Sequence, residues 1–488
     1  MNYTPYIALS LLSSLLVEAS TELEFRQKLR CNMTIQNREF PKKVDSLTKM
    51  LLDGRFYGRF RMNSFVYNNK DNERDHEVVA VGGSLTYHSA YFNGFGLGAS
   101  FYTSQTPWQN MSQESLEFYK GGKDTLSRYD ISTGKEEGLT SLAQAFVEYR
   151  GNHNRVKIGR QLFESFLTKS NDTKMIPNSF EGVSFENRSF TSTTIKTAIL
   201  TRQKLKDHSD FHHVLAYGDN PNDAYAKWSE NDDGAMHQGL TISRLNEKGI
   251  EDRLLIFDIK NSAITNTTLN ANYTAVPELL SSMMVEGSYR FVFKKTKLIP
   301  SVRYMAQFDN GAGAIGGANL KDNTIGYDNP DSLDGSLFAT RLDVIQRSWS
   351  LRFGYSSVAD KGDIVAPWRG FPTAGYTRAM GQYNWNANTD TYLLRADYNL
   401  DKAGLLNGGR LMMRYAVQNF DDAKAGVSSD KKIFTINLVK RGFLFSPNLY
   451  AKIRMAFIDG KSDTIAIDGS LKPDSSYTEL RFEINYLF

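Results

Sequence analysis

From about residue 54 onward the chain alternates apolar and polar residues with a period of two, in stretches divided by clusters of Gly, Asn, Asp and Lys. The last stretch is the cleanest. Leu480, Phe482, Ile484, Tyr486 and Phe488 share one parity, and Glu479, Arg481, Glu483 and Asn485 share the other. Parity sorts side chains onto the two faces of a strand, whereas a helix would spread the same residues around its axis.

The pattern predicts 18 strands, at 54–67, 78–89, 95–103, 141–150, 154–160, 181–190, 194–204, 237–245, 253–260, 283–293, 297–308, 336–345, 348–355, 391–400, 408–418, 432–440, 448–458 and 477–488. Residues 211–217 and 267–273 read as loop. Short connections such as 151–153, 294–296 and 346–347 take turns with long ones, among them 104–140, 161–180, 309–335 and 356–390. An even strand number with this rhythm of turns and loops describes an all-β, transmembrane antiparallel barrel with both ends on the periplasmic side.

Charge decides which face meets lipid. A charged side chain at mid-depth in hydrocarbon costs about 2 to 4 kcal/mol, so the polar parity belongs to the lumen. That places Arg55, Arg59 and Arg61 inside opposite Phe56 and Phe60, and likewise Arg341 with Asp343, Arg352, Arg395 with Asp397, Arg410 with Arg414, and Lys452 with Arg454. Glu148, Glu286 and Glu483 share the inward phase. Guanidinium groups stay charged and hold carboxylate or phosphate at two points, so such a lining draws anions in. The alternative is that these residues only cross-link the lumen and hold water.

The remaining composition narrows the class. Hydrophobic content of 41% and a mean hydropathy of −0.43 exclude a bundle of membrane-spanning helices. The longest apolar run, 7–17, is shorter than the roughly 20 residues a spanning helix needs. It reads as the core of a signal peptide over 1–19, with the small residues Val17 and Ala19 before a cut at Ser20. Residues 20–53 are polar, with Val44, Leu47, Met50 and Leu51 at helical spacing, which predicts a short amphipathic helix at the periplasmic mouth or partly in the lumen. Cys31 is the only cysteine, so neither an internal disulfide nor a cysteine metal cluster is available. A net charge of +4 on 488 residues gives no support to nucleic-acid binding.

Two loop segments are more specific than the periodicity. Residues 159–183 read Gly-Arg-Gln-Leu-Phe-Glu-Ser-Phe-Leu-Thr-Lys-Ser-Asn-Asp-Thr-Lys-Met-Ile-Pro-Asn-Ser-Phe-Glu-Gly-Val, which resembles the third external loop of the OprD family of outer-membrane porins. Residues 367–385, Pro-Trp-Arg-Gly-Phe-Pro-Thr-Ala-Gly-Tyr-Thr-Arg-Ala-Met-Gly-Gln-Tyr-Asn-Trp, look like the seventh loop of the branch found in bacteria related to Campylobacter. The resemblance covers roughly 50–488. It implies an 18-stranded channel whose third loop folds inward and whose substrates, commonly carboxylates, follow a ladder of arginines. Carried over by position, Arg160, Asp172, Lys174 and Phe180 would lie at or near the constriction, and Arg59, Arg61, Arg341, Arg352, Arg395, Arg410 and Arg414 are ladder candidates. The aromatic end, Tyr486 and Phe488, resembles the signal read by the barrel-assembly machinery.

Catalytic and cofactor motifs are weak. Of the seven histidines, His212 and His213 with Asp210 could hold a metal but lack a further ligand. No Gly-x-Ser-x-Gly element occurs, and the Gly311 to Gly316 string lacks the strand-helix-strand setting of a dinucleotide site, so it reads as an external loop. The expectation is therefore a porin of the Gram-negative outer membrane and no enzyme. It would be surrounded by lipid and lipopolysaccharide, a monomer or loose trimer, and would pass small anionic or zwitterionic solutes without a cofactor. The alternative in another class is a surface adhesin whose lumen is closed.

Overall fold

A sheet bathed in hydrocarbon has no water to satisfy an open edge, and this chain leaves none. In the computed structural model the last strand pairs antiparallel with the first, from Leu487 opposite Arg59 to Tyr477 opposite Asn69. The structure describes residues 27–30, 35–37, 41–70, 75–111, 125–126, 138–216, 218–219, 236–380, 383–444 and 446–488. The signal-peptide reading of 1–19, Cys31, and most of the long loop after the third strand lie outside them.

The barrel strands begin with β1 (Arg55–Asn69), β2 (His76–His88), β3 (Phe95–Met111), β4 (Leu139–Arg150), β5 (Asn154–Gln161) and β6 (Ser179–Asn187). They continue with β7 (Thr193–Lys204), β8 (Leu254–Asn261), β9 (Thr267–Val276), β10 (Leu280–Tyr289, extended by Phe291–Phe293), β11 (Thr296–Asp309) and β12 (Gly335–Ile345). The last are β13 (Trp349–Val358), β14 (Thr389–Tyr398), β15 (Gly409–Asn419), β16 (Lys431–Phe443), β17 (Ser446–Gly460) and β18 (Tyr477–Leu487). Each pairs with its neighbours in sequence to form a single closed sheet.

The count agrees with the sequence pattern, but through two opposite errors. Residues 237–245 are not a strand. Thr241 caps a short helix, Ile242–Glu247, by accepting a hydrogen bond from the Arg244 amide, and Ile242 and Leu245, three apart, are its buried residues. Residues 267–273 belong to β9, whose outward positions include the small Ala271 and Ala275 and whose inward positions are Asn270, Asn272 and Thr274, so its apolar face reads faintly. The Gly311 to Gly316 string carries one helical turn, Ala312–Gly316, with Ala312 and Gly316 buried.

Outward parity is as expected. Phe56, Phe338, Phe353, Tyr392, Tyr415, Met455 and Leu480 face out, while Arg59, Asp343, Lys452, Arg481 and Glu483 are buried on the inward side. Aromatic rings cluster outside toward both rims: Phe56, Phe95, Tyr149, Tyr289, Phe291 and Phe293 at the short-turn end, and Tyr355 against Tyr392, centroids 5.1 Å apart, toward the other. Amphipathic rings favour the two membrane interfaces, so this spacing frames an apolar belt. At the seam, Gly58 and Phe488 exchange backbone hydrogen bonds of 2.9 and 3.2 Å. A Cβ at Gly58 would strike the Ser84 carbonyl oxygen and sit 2.5 Å from the Phe488 ring, so the seam closes on a residue without a side chain.

The largest apolar core lies inside the barrel, in its loop-end half. Phe163 and Leu167 from 162–178, Leu215 and Leu240 from 205–253, and Trp368, Phe371 and Trp385 from 359–388 pack against the inward wall residues Phe180, Leu200, Leu254, Met305 and Leu337. Three long loops thus fold back and fill one side of the lumen.

The belt predicts a depth-dependent cost. Phe482→Arg, at the middle of β18, should destabilise the lipid-embedded barrel by about 2 to 4 kcal/mol, whereas Thr478→Arg near the loop rim should cost about 0 to 1. Denaturant titration in vesicles measures both, and equal costs would contradict the assigned face or depth.

Candidate functional site

The third loop is held against β1 and β18 by buried charges. Asp172 accepts hydrogen bonds from Arg59 and from Nη1 of Arg61, the latter at 2.6 Å, while Arg61 also reaches Glu483 at 3.1 Å and the Met175 carbonyl at 3.3 Å. Asn63 donates to the Lys174 carbonyl at 3.1 Å, and Arg481 donates to the Thr173 carbonyl. Glu483 also faces Arg481 at 3.0 Å and Lys452 at 3.3 Å. From the other side Lys204 donates to the Pro177 carbonyl at 2.9 Å. Arginine parity thus serves a structural end here: the Arg59 and Arg61 side chains are 0% exposed and their charge is met by Asp172 and Glu483. They are anchors of the loop rather than open rungs.

The seventh loop is tied to the opposite wall by the same chemistry. Arg303, fixed by Glu286 directly across the β10–β11 ladder, donates to the carbonyls of Pro372 at 2.7 Å and Ala374 at 3.0 Å. Arg341 and Arg352 both donate to the Gly375 carbonyl, at 2.8 and 2.7 Å, and share Asp343. The two loops then join each other. Gly370 donates its amide to Leu167 at 2.8 Å, Lys169 donates to Trp368 at 3.0 Å, and the Trp368 indole reaches the Val214 carbonyl at 2.6 Å. A Cβ on Gly370 would collide with the Leu167 backbone, so the crossing requires glycine.

Of the four constriction candidates, Asp172 and Lys174 lie in this inward loop, with the Lys174 ammonium 5.1 Å from the centre of the Phe65 ring. Phe180 is fully buried in the apolar core of the loops. Arg160 is elsewhere: it shares the outward parity of Ile158, which is 56% exposed, and pairs with Glu181 at 2.7 Å beside Phe211. The loop histidines satisfy one another. His208 and His212 nitrogens are 2.7 Å apart, His213 pairs with Asp252 at 2.6 Å, and no group of three possible metal ligands occurs among the described residues.

Toward the short-turn end, a cavity of about 550 Å³ opens along β13 to β17. Its lining contains Arg347, Arg395, Lys402, Arg410, Arg414, Lys452 and Arg454, with Arg30 from the N-terminal segment, against one carboxylate, Asp397. The register explains the concentration: Arg352 lies directly opposite Arg395, and Arg395 directly opposite Arg414. Like charges facing one another across a ladder are destabilising. Arg352 is matched by Asp343 and Arg395 by Asp397, at 2.6 and 2.5 Å, but Arg414 makes no hydrogen bond or ion pair among the described residues. Its charged neighbours are Arg395, Arg454 and Arg378, with Asp397 the acid among them.

Parity by itself does not distinguish Arg303 from other inward positions; its mark is Glu286, an inward acid that lies directly opposite on the neighbouring strand. Arg378 gave no signal, because a loop has no parity. Its guanidinium lies 3.4 Å from the Phe371 ring centre, inside the folded seventh loop.

Removing one member of a buried, hydrogen-bonded charge cluster costs about 3 to 5 kcal/mol because its partners stay behind unpaired. Asp172→Ala should therefore release the third loop, seen as noisier current and faster protease cleavage within 162–178 with the barrel intact. Unaltered protease resistance would show that the loop is held by other contacts.

A search of curated proteins finds no match to this sequence. Among solved structures, OccAB3 of Acinetobacter baumannii superposes with a TM-score of 0.69 at 13% identity, covering 90% of this chain and 100% of its own. OccK8 (OprE) of Pseudomonas aeruginosa gives 0.68 at 13%, and OpdK of the same organism, solved with vanillate, gives 0.65 at 13%, each over 90% of this chain and 99% of its own. At such identities the likeness speaks for the fold. The family model for the outer membrane porin, OprD family, matches residues 53–324, more than half of the chain. The chain belongs to the OprD family of outer-membrane porins, channels for small solutes.

Proposed function

We propose that this porin passes small water-soluble solutes bearing a carboxylate, organic or amino acids, by passive diffusion along the basic chamber. The observation that carries the reading is the Arg352, Arg395 and Arg414 row, in which the third guanidinium has no hydrogen-bond or ion-pair partner among the described residues. An arrangement that is unfavourable when empty becomes favourable when an anion enters, since a guanidinium and a carboxylate form charge-assisted, two-point hydrogen bonds. Several shallow contacts in succession, rather than one deep one, let the solute leave again. OpdK was solved with vanillate, itself a small organic anion. The process consumes no cofactor.

On this reading the outward face meets lipid and lipopolysaccharide, and the Tyr486 to Phe488 end is recognised by the barrel-assembly machinery. One chain suffices for a pore, whether it stays monomeric or joins a loose trimer.

Planar-bilayer recording tests the reading. Wild-type protein should show stepwise ohmic conductance with a reversal potential favouring anions. At contact distance in water one charge acts through about 1 kcal/mol, so Arg414→Gln with Arg410→Gln should lower the anion-to-cation permeability ratio by up to about fivefold per charge. A refolded barrel without conductance would sink the channel reading. Conductance indifferent to these substitutions would move the selectivity filter to the third loop.

A further inference from the structure

Three apolar side chains interrupt the polar lumenal phase near the short-turn rim: Val439 on β16, Tyr450 on β17 and Leu487 on β18, all buried. An apolar cluster facing a water-filled lumen gains nothing unless something covers it. What covers it is the N-terminal segment. Gln27–Leu29 and Ile35–Asn37 pair antiparallel, and Leu29 lies directly opposite Ile35, so these two side chains share one face of the hairpin. Both pack against Val439, Tyr450 and Leu487.

The seat determines where the next residue goes. Arg30 lines the chamber together with Lys452 and Arg454, which lie on the same wall. A free arginine would turn away from a surface already rich in positive charge. Here the apolar contacts of Leu29 and Ile35 hold it in place. The same segment is tied down again farther along: the Lys42 carbonyl accepts from the Tyr91 amide at 2.8 Å, the Met50 carbonyl from Ala90 at 2.9 Å, and the Leu51 carbonyl from the Tyr87 hydroxyl at 2.6 Å. It is anchored at the β2–β3 turn and again at the β16–β18 wall.

We propose that the N-terminal hairpin is a seated part of the permeation path, with Arg30 a specificity-determining cation at the short-turn mouth of the chamber. The inference rests on the channel reading above. Part of the anion preference then comes from a segment outside the barrel wall, and the hairpin's bulk narrows the exit.

Two full-length variants in planar bilayers separate charge from bulk. Arg30→Gln should shift the reversal potential toward zero without raising single-channel conductance, because the hairpin stays seated. Leu29→Gln with Ile35→Gln should unseat it, giving the same shift and a higher conductance. A conducting wild type whose two variants match it in both measurements overturns the role of the hairpin and leaves the channel reading standing. A wild type that carries no current overturns both.

Discussion

Inside hydrocarbon every backbone amide and carbonyl must find its partner within the protein, and in this chain the pairing of β18 with β1 removes the edges that would otherwise stay open. The remaining architecture follows from that closure. Once the sheet is a cylinder, one parity of every strand faces lipid and the other faces the interior, so Leu480 and Arg481, adjacent in sequence, lie on opposite sides of the wall. The seam depends on small details such as Gly58, whose missing side chain leaves room for the Phe488 ring.

Closure also creates an enclosed volume to be filled or kept open, and arginine does both. On the β1 and β18 wall and on the β10 to β13 wall, guanidinium groups donate to loop carbonyls and to carboxylates that neutralise them: Asp172, Glu483, Glu286 and Asp343. Those charges are spent on structure, which is why several lumenal arginines are buried. Farther around the barrel the carboxylates run out, leaving Asp397 to face a wall of cations. Lys452 there meets Glu483 and Arg454 meets Asn437, whereas Arg414 makes no hydrogen bond or ion pair among the described residues, which is where the proposed anionic solute would bind.

The loops explain how one side of the lumen is filled by the barrel's own connections. The third and seventh loops are bonded to opposite walls and then to each other through Gly370 and Leu167, and Trp368 extends the tie to the fourth loop at Val214. Their apolar residues form a core that a water-filled lumen would otherwise lack. The N-terminal hairpin repeats this logic on a smaller scale at the other end, covering Val439, Tyr450 and Leu487.

Alternation along each strand was enough to reveal a closed barrel, its lipid face and the inward set that includes Arg341, Arg352, Arg395 and Arg414, because parity is a local property of extended backbone. It was enough also to place the loop carrying Asp172 third on the long-loop rim. It failed at 237–245, where Thr241 and the spacing of Ile242 and Leu245 favour a helical turn, and at β9, whose small and polar residues blur the two faces. Which arginines anchor a loop was decided only by tertiary structure. That depends on carboxylates and carbonyls brought together from distant positions, Arg59 with Asp172 and Arg303 with Pro372, and on a register that sets Arg395 opposite Arg414. Parity says that a charge points inward; only the fold says what it meets there.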